Sequence, residues 1–379
     1  MSGMRRTLRI HFPFPRITGF SGEDGELWFA GSQERAASVA EVFCGGNCHT
    51  TDRRRIHRSR LLSRSADLAA GGAVSVFCAH RGAPGLHDPA GRAIEAPLLV
   101  ALTRELPPTV TALMEGLGNS SVREDIRRMR KAGFTYRVTT DPGAVREFYG
   151  HHYEPLVRER FPEDGAVMSL DRMLARLGQG GELLCADLDG DWVAGIFNSA
   201  QADIYAMGNL GIRDANESVR QKRVASALIL RSLQRAVELG RPAAAMGASL
   251  PFLGKGSIWF KAKWGCTLRA DGDVPRMLAF LDLRHETVRR ALTESPVVHF
   301  HDDELAAVAW LPPEEAAARA IVREAGRYPG ISKWYVLGTQ DTLTTAEETL
   351  QRNGRVVPIP VEVRADAPLW LGQILRGHT

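Results

Sequence analysis

The stretch Arg220-Gln-Lys-Arg-Val-Ala-Ser226 places three cations at the start of a predicted long helix, Ser218 to Leu239. The positive end of a helix dipole, with backbone N–H groups that lack an intrahelical partner, suits an anion such as a phosphate. A basic helix start that holds nothing accounts for the same residues. Two other basic groups read the same two ways, as phosphate holders or as solvated faces: Arg53, Arg54, Arg55, Arg58, Arg60, and Arg123, Arg127, Arg128, Arg130, Lys131. Asp203 and Tyr205 alternate along a predicted strand, Ala202 to Gly208, so both fall on one face. A phenol there can give a proton, or it can simply pack in the sheet. His151 and His152 lie in a predicted helix near Glu154, where an imidazole can act as a base near neutral pH or face solvent. His299 and His301 share a strand face and precede Asp302 and Asp303, while Cys44, Cys48 and His49 form a second tight group. Neither set gathers four ligands at zinc-site spacing, so no metal is expected.

The elements that must position these residues follow from pattern. Thr7 to Phe12 and Leu27 to Ala30 are strand candidates, Gln33 to Phe43 a helix closed by Gly45-Gly46, and Ala73 to His80 and Pro97 to Thr103 apolar runs of strand length. Residues 81–92 between them are rich in turn formers. Pro108 to Leu117 predicts a short helix. A second begins at Ser121 in a capping box with Glu124, with Val122, Ile126 and Met129 on its apolar stripe and Gly133 at its end. Phe134 to Val138 continues as a strand, and Gly143 to Arg160 and Leu170 to Gly178 as helices. Glu182 to Asp187 and Trp192 to Ser199 flank Asp189-Gly190-Asp191, a hairpin signal. The long helix stops at Gly240 and Pro242. Ala243 to Ala248 is a buried-type strand, and Trp259 to Trp264 opens another segment. Near the end, a helix at Glu314 to Ala325 precedes one β-α-β unit: Lys333 to Leu337, Thr345 to Asn353 and Arg355 to Val363.

Bulk properties narrow the class. The 379 residues exceed one compact core, and 44% apolar with 24% charged is an ordinary globular balance. The net charge is only +4, from 48 Lys and Arg against 44 Asp and Glu. Five scattered cysteines suit a reducing cytoplasm better than a disulfide scaffold. The N-terminus lacks the apolar run of a signal peptide, and nothing approaches the roughly 20 apolar residues of a membrane span. The expectation is a cytoplasmic protein not inserted in a membrane, of unassigned oligomeric state. Its mixed α/β chain divides at 1–106, 107–296 and 297–379, the last an α/β extension.

The order of helices, antiparallel strands, long helix, strand and strand resembles the GNAT acyltransferase fold. That family writes its carrier loop as Arg or Gln, two residues, Gly, one residue, Gly or Ala. Arg220 and Ala225 match it, whereas Arg223 stands where the first glycine belongs. Ser121 to Val138 looks like the Arg-rich helix and strand of Fem-like proteins, and Gly256 to Gly265 resembles their Phe-Lys-x-x-Trp-Gly signature. The resemblance covers about residues 100 to 290. It implies an N-acyltransferase of the Fem-like or exopolysaccharide-cluster kind, and offers residues 1–106 as the place of a degenerate first GNAT-like half. Arg220, Gln221, Lys222, Arg223, Val224, Ala225 and Ser226 would bind the carrier, acyl-CoA, and Lys261 a phosphate of the substrate or of tRNA. A backbone amide of the Ala202 to Gly208 strand would polarise the acyl carbonyl, with Tyr205 and Asp203 as nearby catalytic candidates. The acceptor would be an amine on a small molecule, amino acid or sugar intermediate. The alternative donor is aminoacyl-tRNA, favoured by Arg223 and the basic clusters. A third reading is a non-catalytic protein that kept the fold and lost the loop.

Overall fold

The computed structural model describes residues 16–22, 25–30, 33–44, 48–55, 61–70, 74–79, 88, 90–160, 167–201, 203–254, 256–270, 276–302, 304–351, 353–364 and 367–378. The predicted strand Thr7 to Phe12, the Gly45-Gly46 helix end and most of the 81–92 turn region lie outside them. The chain gathers into two compact units: one comprises residues 1–98, 272–321 and 333–379, the other 99–271 and 322–332. The first and last predicted segments therefore contribute to the same unit.

The first unit begins with β1 (Arg16–Gly22), β2 (Gly25–Ala30), α1 (Gln33–Cys44), β3 (His49–Arg55), α2 (Leu61–Ala70), β4 (Val74–Ala79) and β5 (Ala93–Pro97). The second unit follows: β6 (Val100–Glu105), α3 (Val110–Glu115), α4 (Ser120–Ala132), β7 (Thr135–Thr139), α5 (Pro142–Phe148), a π-helical turn (Tyr149–Tyr153), α6 (Glu154–Arg160) and α7 (Leu170–Leu177). It continues with β8 (Gly181–Leu188), β9 (Asp191–Ala200), β10 (Tyr205–Ile212), α8 (Glu217–Gln221), α9 (Val224–Glu238), β11 (Ala243–Ser249), α10 (Gly256–Ala262) and β12 (Thr267–Arg269). Its seven strands run in the order β12-β6-β11-β10-β9-β8-β7.

The chain then returns to the first unit with β13 (Arg276–Phe280), which completes a sheet ordered β3-β1-β2-β4-β13-β5, and α11 (Glu286–Glu294). Ala30, Ala66, Ala93, Leu278, Phe280 and Trp370 pack together there. A four-stranded sheet closes the unit: β14 (Val297–His301), β15 (Glu304–Trp310), α12 (Glu315–Ala325), β16 (Lys333–Gly338), α13 (Gln340–Gln351) and β17 (Val356–Pro360). β15, β16 and β17 are parallel, so the predicted β-α-β unit is present with a second one before it. α14 (Leu371–Arg376) ends the chain's described structure.

Three local rules shape the second unit. Asp189 and Gly190 both have positive φ, 54° and 91°, the backbone of a tight hairpin turn that pairs Leu188 with Asp191. The cap of α4 lies two residues earlier than the capping box predicts. Asn119 is its cap, accepting from the Ser121 amide, and Glu124 turns instead to Arg127 and Arg128 at 2.8 and 2.7 Å. An asparagine in extended conformation caps as well as a serine, and two guanidiniums outcompete one amide for the carboxylate.

The predicted Gly143 to Arg160 helix is one run broken by the π turn, which lies directly on the sheet. A Cβ at Gly211 would come within 2.6–2.7 Å of the His152 and Tyr153 backbone and the Phe148 ring, so only glycine permits this approach. Gly211→Ala is expected to cost about 1–3 kcal/mol through overpacking, read as a lower urea midpoint with an unchanged slope. Phe148, Tyr153, Met173, Leu183, Cys185, Trp192 and Phe197 form the core on that face. Strand alternation turns Glu182 to the other face, where it meets Arg235 of α9.

Candidate active site

The sheet of the second unit opens between two of its central strands. β10 and β11 are parallel but pair only at Tyr205↔Ala244 and Ala206↔Ala245. Beyond Ala206 the β10 backbone has no ladder partner on its β11 side. β10 is also bulged against β9 between Met207 and Asn209, and β11 is bulged against β6 between Ala245 and Ala248, where Gly247 takes φ 68°. The β10 and β11 ladders thus part beside the β10 bulge, where the Gly208 amide donates to Asn198 Oδ1 at 3.4 Å instead of to a strand.

A helix begins after the strand that bounds this gap. The predicted single helix Ser218 to Leu239 is two, α8 and α9, separated by Lys222 and Arg223. Arg223 adopts φ 67°, ψ 32°, the left-handed conformation in which the family pattern has glycine. A glycine would take this conformation without strain, whereas arginine takes it against its Cβ. The Ala227 amide is the first to bond inside α9, to the Arg223 carbonyl, and the Arg223 side chain caps nothing. The amides of Val224, Ala225 and Ser226 therefore stand together at the positive end of a 15-residue helix.

The side chains of the same segment divide sharply. Arg220, expected to meet a phosphate, is committed to Glu159, to Glu217 at 3.0 Å and to the Ala215 carbonyl at 2.8 Å. Gln221 reaches back to Glu217 at 3.5 Å. Lys222 is exposed and forms no ion pair among the described residues. Arg223 is about half exposed and lies 3.6 Å from Asp125.

Asp125 joins the three segments that carry the family resemblance. It belongs to α4 and is only 4% exposed. It accepts from Ser226 Oγ at 2.6 Å and from Lys263 Nζ at 2.5 Å, and it faces Arg223 Nε. Lys263 is 9% exposed and lies over the rings of Trp259, Phe260 and Trp264 at 5.2, 4.8 and 5.8 Å. Sequence reasoning missed this pair, although a signal existed: Asp125 interrupts the apolar stripe of Val122, Ile126 and Met129, and a buried acid requires a cation.

Lys261 sits in a helix, α10, and donates from Nζ to the Ala248 carbonyl and Ser249 Oγ at 3.0 Å each. That places its head at the end of β11, one of the two strands that part. Burial pushes its ammonium down to about 8.

Tyr205 is buried on the α9 face. Its hydroxyl donates to Glu182 at 2.6 Å and accepts from Asn198 at 3.0 Å. Burial first, then the Glu182 hydrogen bond, push the phenol well above its ordinary value. Asn198 also donates to Ser232 Oγ at 3.1 Å and accepts from the Gly208 amide at 3.4 Å, which ties this network to the bulge. β10 starts at Tyr205, so Asp203 lies in an exposed bend outside the strand and the predicted shared face does not extend to it. Tyr153, not anticipated from sequence, touches the bulge from the other face: its hydroxyl accepts from Asn209 Nδ2 and the Met168 amide at 2.9 Å each.

The histidines play structural parts. His152 is fully buried beside Phe148 and Trp192, where burial holds its imidazole below the ordinary value, while His151 is exposed. His301 meets Tyr335 Oη at 2.8 Å, Lys333 Nζ at 3.3 Å and Asp302 Oδ2 at 3.4 Å. Among the described residues no group of three or more His, Cys, Asp or Glu is arranged to hold a metal, and no helix is long and apolar enough to cross a membrane.

Residues 119–250 match the model of the acetyltransferase (GNAT) domain. The chain carries a GNAT acyltransferase domain, and the protein is an acyltransferase. No curated protein matches the sequence. Among solved structures, FemX is similar at 11% identity over 73% of this chain and 86% of its own, with a TM-score of 0.40. L-PGS from Bacillus licheniformis is similar at 14% over 70% and 81%, with 0.34. A GCN5-related N-acetyltransferase from Sphaerobacter thermophilus gives 14% over 55% and 58%, with 0.31. Likenesses of this size carry no argument about substrate.

Proposed function

We propose that the protein is a cytoplasmic N-acyltransferase that moves an acyl group from acyl-CoA to an amine of a small molecule, amino acid or sugar intermediate. The observation that carries this reading is the cradle of amides at Val224, Ala225 and Ser226, which have no intrahelical partner and follow Arg223 in its left-handed turn. These amides take the carrier pyrophosphate, with Lys222 adding charge at the rim. The acyl carbonyl enters where β10 and β11 part and meets a backbone amide of β10 near its bulge. The amine nitrogen bonds to the acyl carbon, the carbon–sulfur bond breaks, and the thiol leaves with the proton that the amine loses. Holding donor and acceptor in one gap supplies much of the rate. Tyr205 acts through Asn198 on the bulge, with its proton held by Glu182. Asp203 has no part in this scheme.

Lys261 binds an anionic group of the acceptor. Its ammonium exists below about pH 8 and is lost above it. Acceptor KM is therefore expected to rise as pH increases through about 8, and Lys261→Arg should keep it low at higher pH. The same group has an unfolded value near 10.5. Between these two values the unfolded chain binds the extra proton, so stability gains with pH there. A KM profile identical in wild type and Lys261→Arg removes this lysine from the acceptor site.

Aminoacyl-tRNA is the competing donor. The pairing of Arg127 and Arg128 with Glu124 leaves less free charge on α4 for RNA than the sequence suggests. The deciding experiment supplies acetyl-CoA, longer acyl-CoAs or mixed aminoacyl-tRNAs with a panel of amines and measures amide product and free thiol. Thiol release that depends on an amine supports the proposal. Amide formed only from aminoacyl-tRNA replaces it, and no product from any donor favours a binding protein that has lost catalysis.

A further inference from the structure

We propose that Asp125 is the positioning residue of the carrier loop, holding Arg223 in a conformation that its Cβ disfavours. The inference rests on the acyl-CoA reading above. Left-handed backbone is strained for any residue with a side chain and persists only where its surroundings impose it. At Arg223 the surroundings are specific. The first three amides of α9 lie between two contacts of one carboxylate: Asp125 Oδ1 faces Arg223 Nε before them, and Oδ2 accepts from Ser226 Oγ at their end. A single rigid acid therefore brackets the cradle at both sides. The acid is itself fixed, because Lys263 Nζ donates to the same Oδ2 from inside a wall of Trp259, Phe260 and Trp264. Lys263 also neutralises it, so the bracket does not repel an incoming phosphate.

A glycine would need no such bracket, which explains how arginine can stand in the pattern's place. The loss of glycine and the presence of a buried Asp–Lys pair are on this view one compensated change. It also gives the basic helix, the carrier loop and the Phe-Lys-x-x-Trp-Gly segment a common purpose, since each contributes one partner.

The test measures acetyl-CoA affinity by calorimetry in four proteins: wild type, Ser226→Ala, the double variant Asp125→Asn/Lys263→Met, and that double variant with Arg223→Gly. Removing both members of the pair avoids a lone buried charge, and Ser226→Ala breaks one side of the bracket without touching the pair. The expected result is a tenfold or greater loss in the double variant, a smaller loss in Ser226→Ala, and recovery of most of the affinity when glycine is added at 223. A fold-stabilising role alone would not be rescued by glycine at that position. Unchanged affinity in both bracket variants, or no recovery with glycine, overturns the inference while leaving the acyl-CoA reading intact. Wild type that binds no acetyl-CoA overturns both.

Discussion

Lys263→Ala is expected to lower the free energy of unfolding by about 3–5 kcal/mol, because it strands the Asp125 carboxylate in the interior. Asp125 and Lys263 are 4% and 9% exposed, and their contact is 2.5 Å. Taking two charges out of water is expensive, and here the expense is offset by their mutual attraction, by Ser226 Oγ and by three aromatic faces around the ammonium. Removing one partner keeps the desolvation and discards the attraction. Removing both does neither, so Asp125→Asn/Lys263→Met is expected to stay within about 1–2 kcal/mol of wild type. Urea unfolding of the two variants checks the pair. A single variant no less stable than the double would mean that the pair is solvated and carries no such energy.

Ala225→Glu separates binding from stability by moving them in opposite directions. Ala225 is half-buried in the first turn of α9, where its amide is one of the three cradle donors. A carboxylate there suits the helix dipole and should add about 0.3–1 kcal/mol of stability. The same charge would stand against the carrier phosphates. Acyl-CoA affinity is expected to fall about 100-fold, equivalent to about 2.7 kcal/mol. A melting temperature that is held or raised, together with lost carrier binding, identifies the helix end as a ligand site. Affinity within twofold of wild type would place the carrier elsewhere.

Much of the second unit was legible because its signals are local. The Asp189-Gly190 turn needs only two residues able to take positive φ, and the apolar stripe of α4 needs only helical spacing. The C-terminal β-α-β pattern was readable for the same reason. What could not be read depends on partners distant in sequence. Nothing local marks Gly211 as the floor beneath a π turn some sixty residues earlier in the chain. Nothing local tells an arginine that continues a helix from one that breaks it, so Ser218 to Leu239 reads as a single helix. The side chain at the Arg223 turn meets a carboxylate 98 positions away in α4. Tyr205 shows the reverse case. Its residue type suggested proton transfer, and only the fold shows its hydroxyl buried between Glu182 and Asn198. The candidate site was thus proposed from motif order, while the contacts inside it are visible only in burial and hydrogen bonding.

The most direct test of an acyl-CoA cradle is calorimetric titration of the wild-type protein with acetyl-CoA beside dephospho-CoA and pantetheine, which lacks the pyrophosphate. Single-site binding is predicted for acetyl-CoA and dephospho-CoA, which both carry the pyrophosphate, with pantetheine at least 100-fold weaker. Equal affinity for pantetheine, or no binding of acetyl-CoA at millimolar concentration, would contradict the assignment of Val224 to Ser226 as the carrier site.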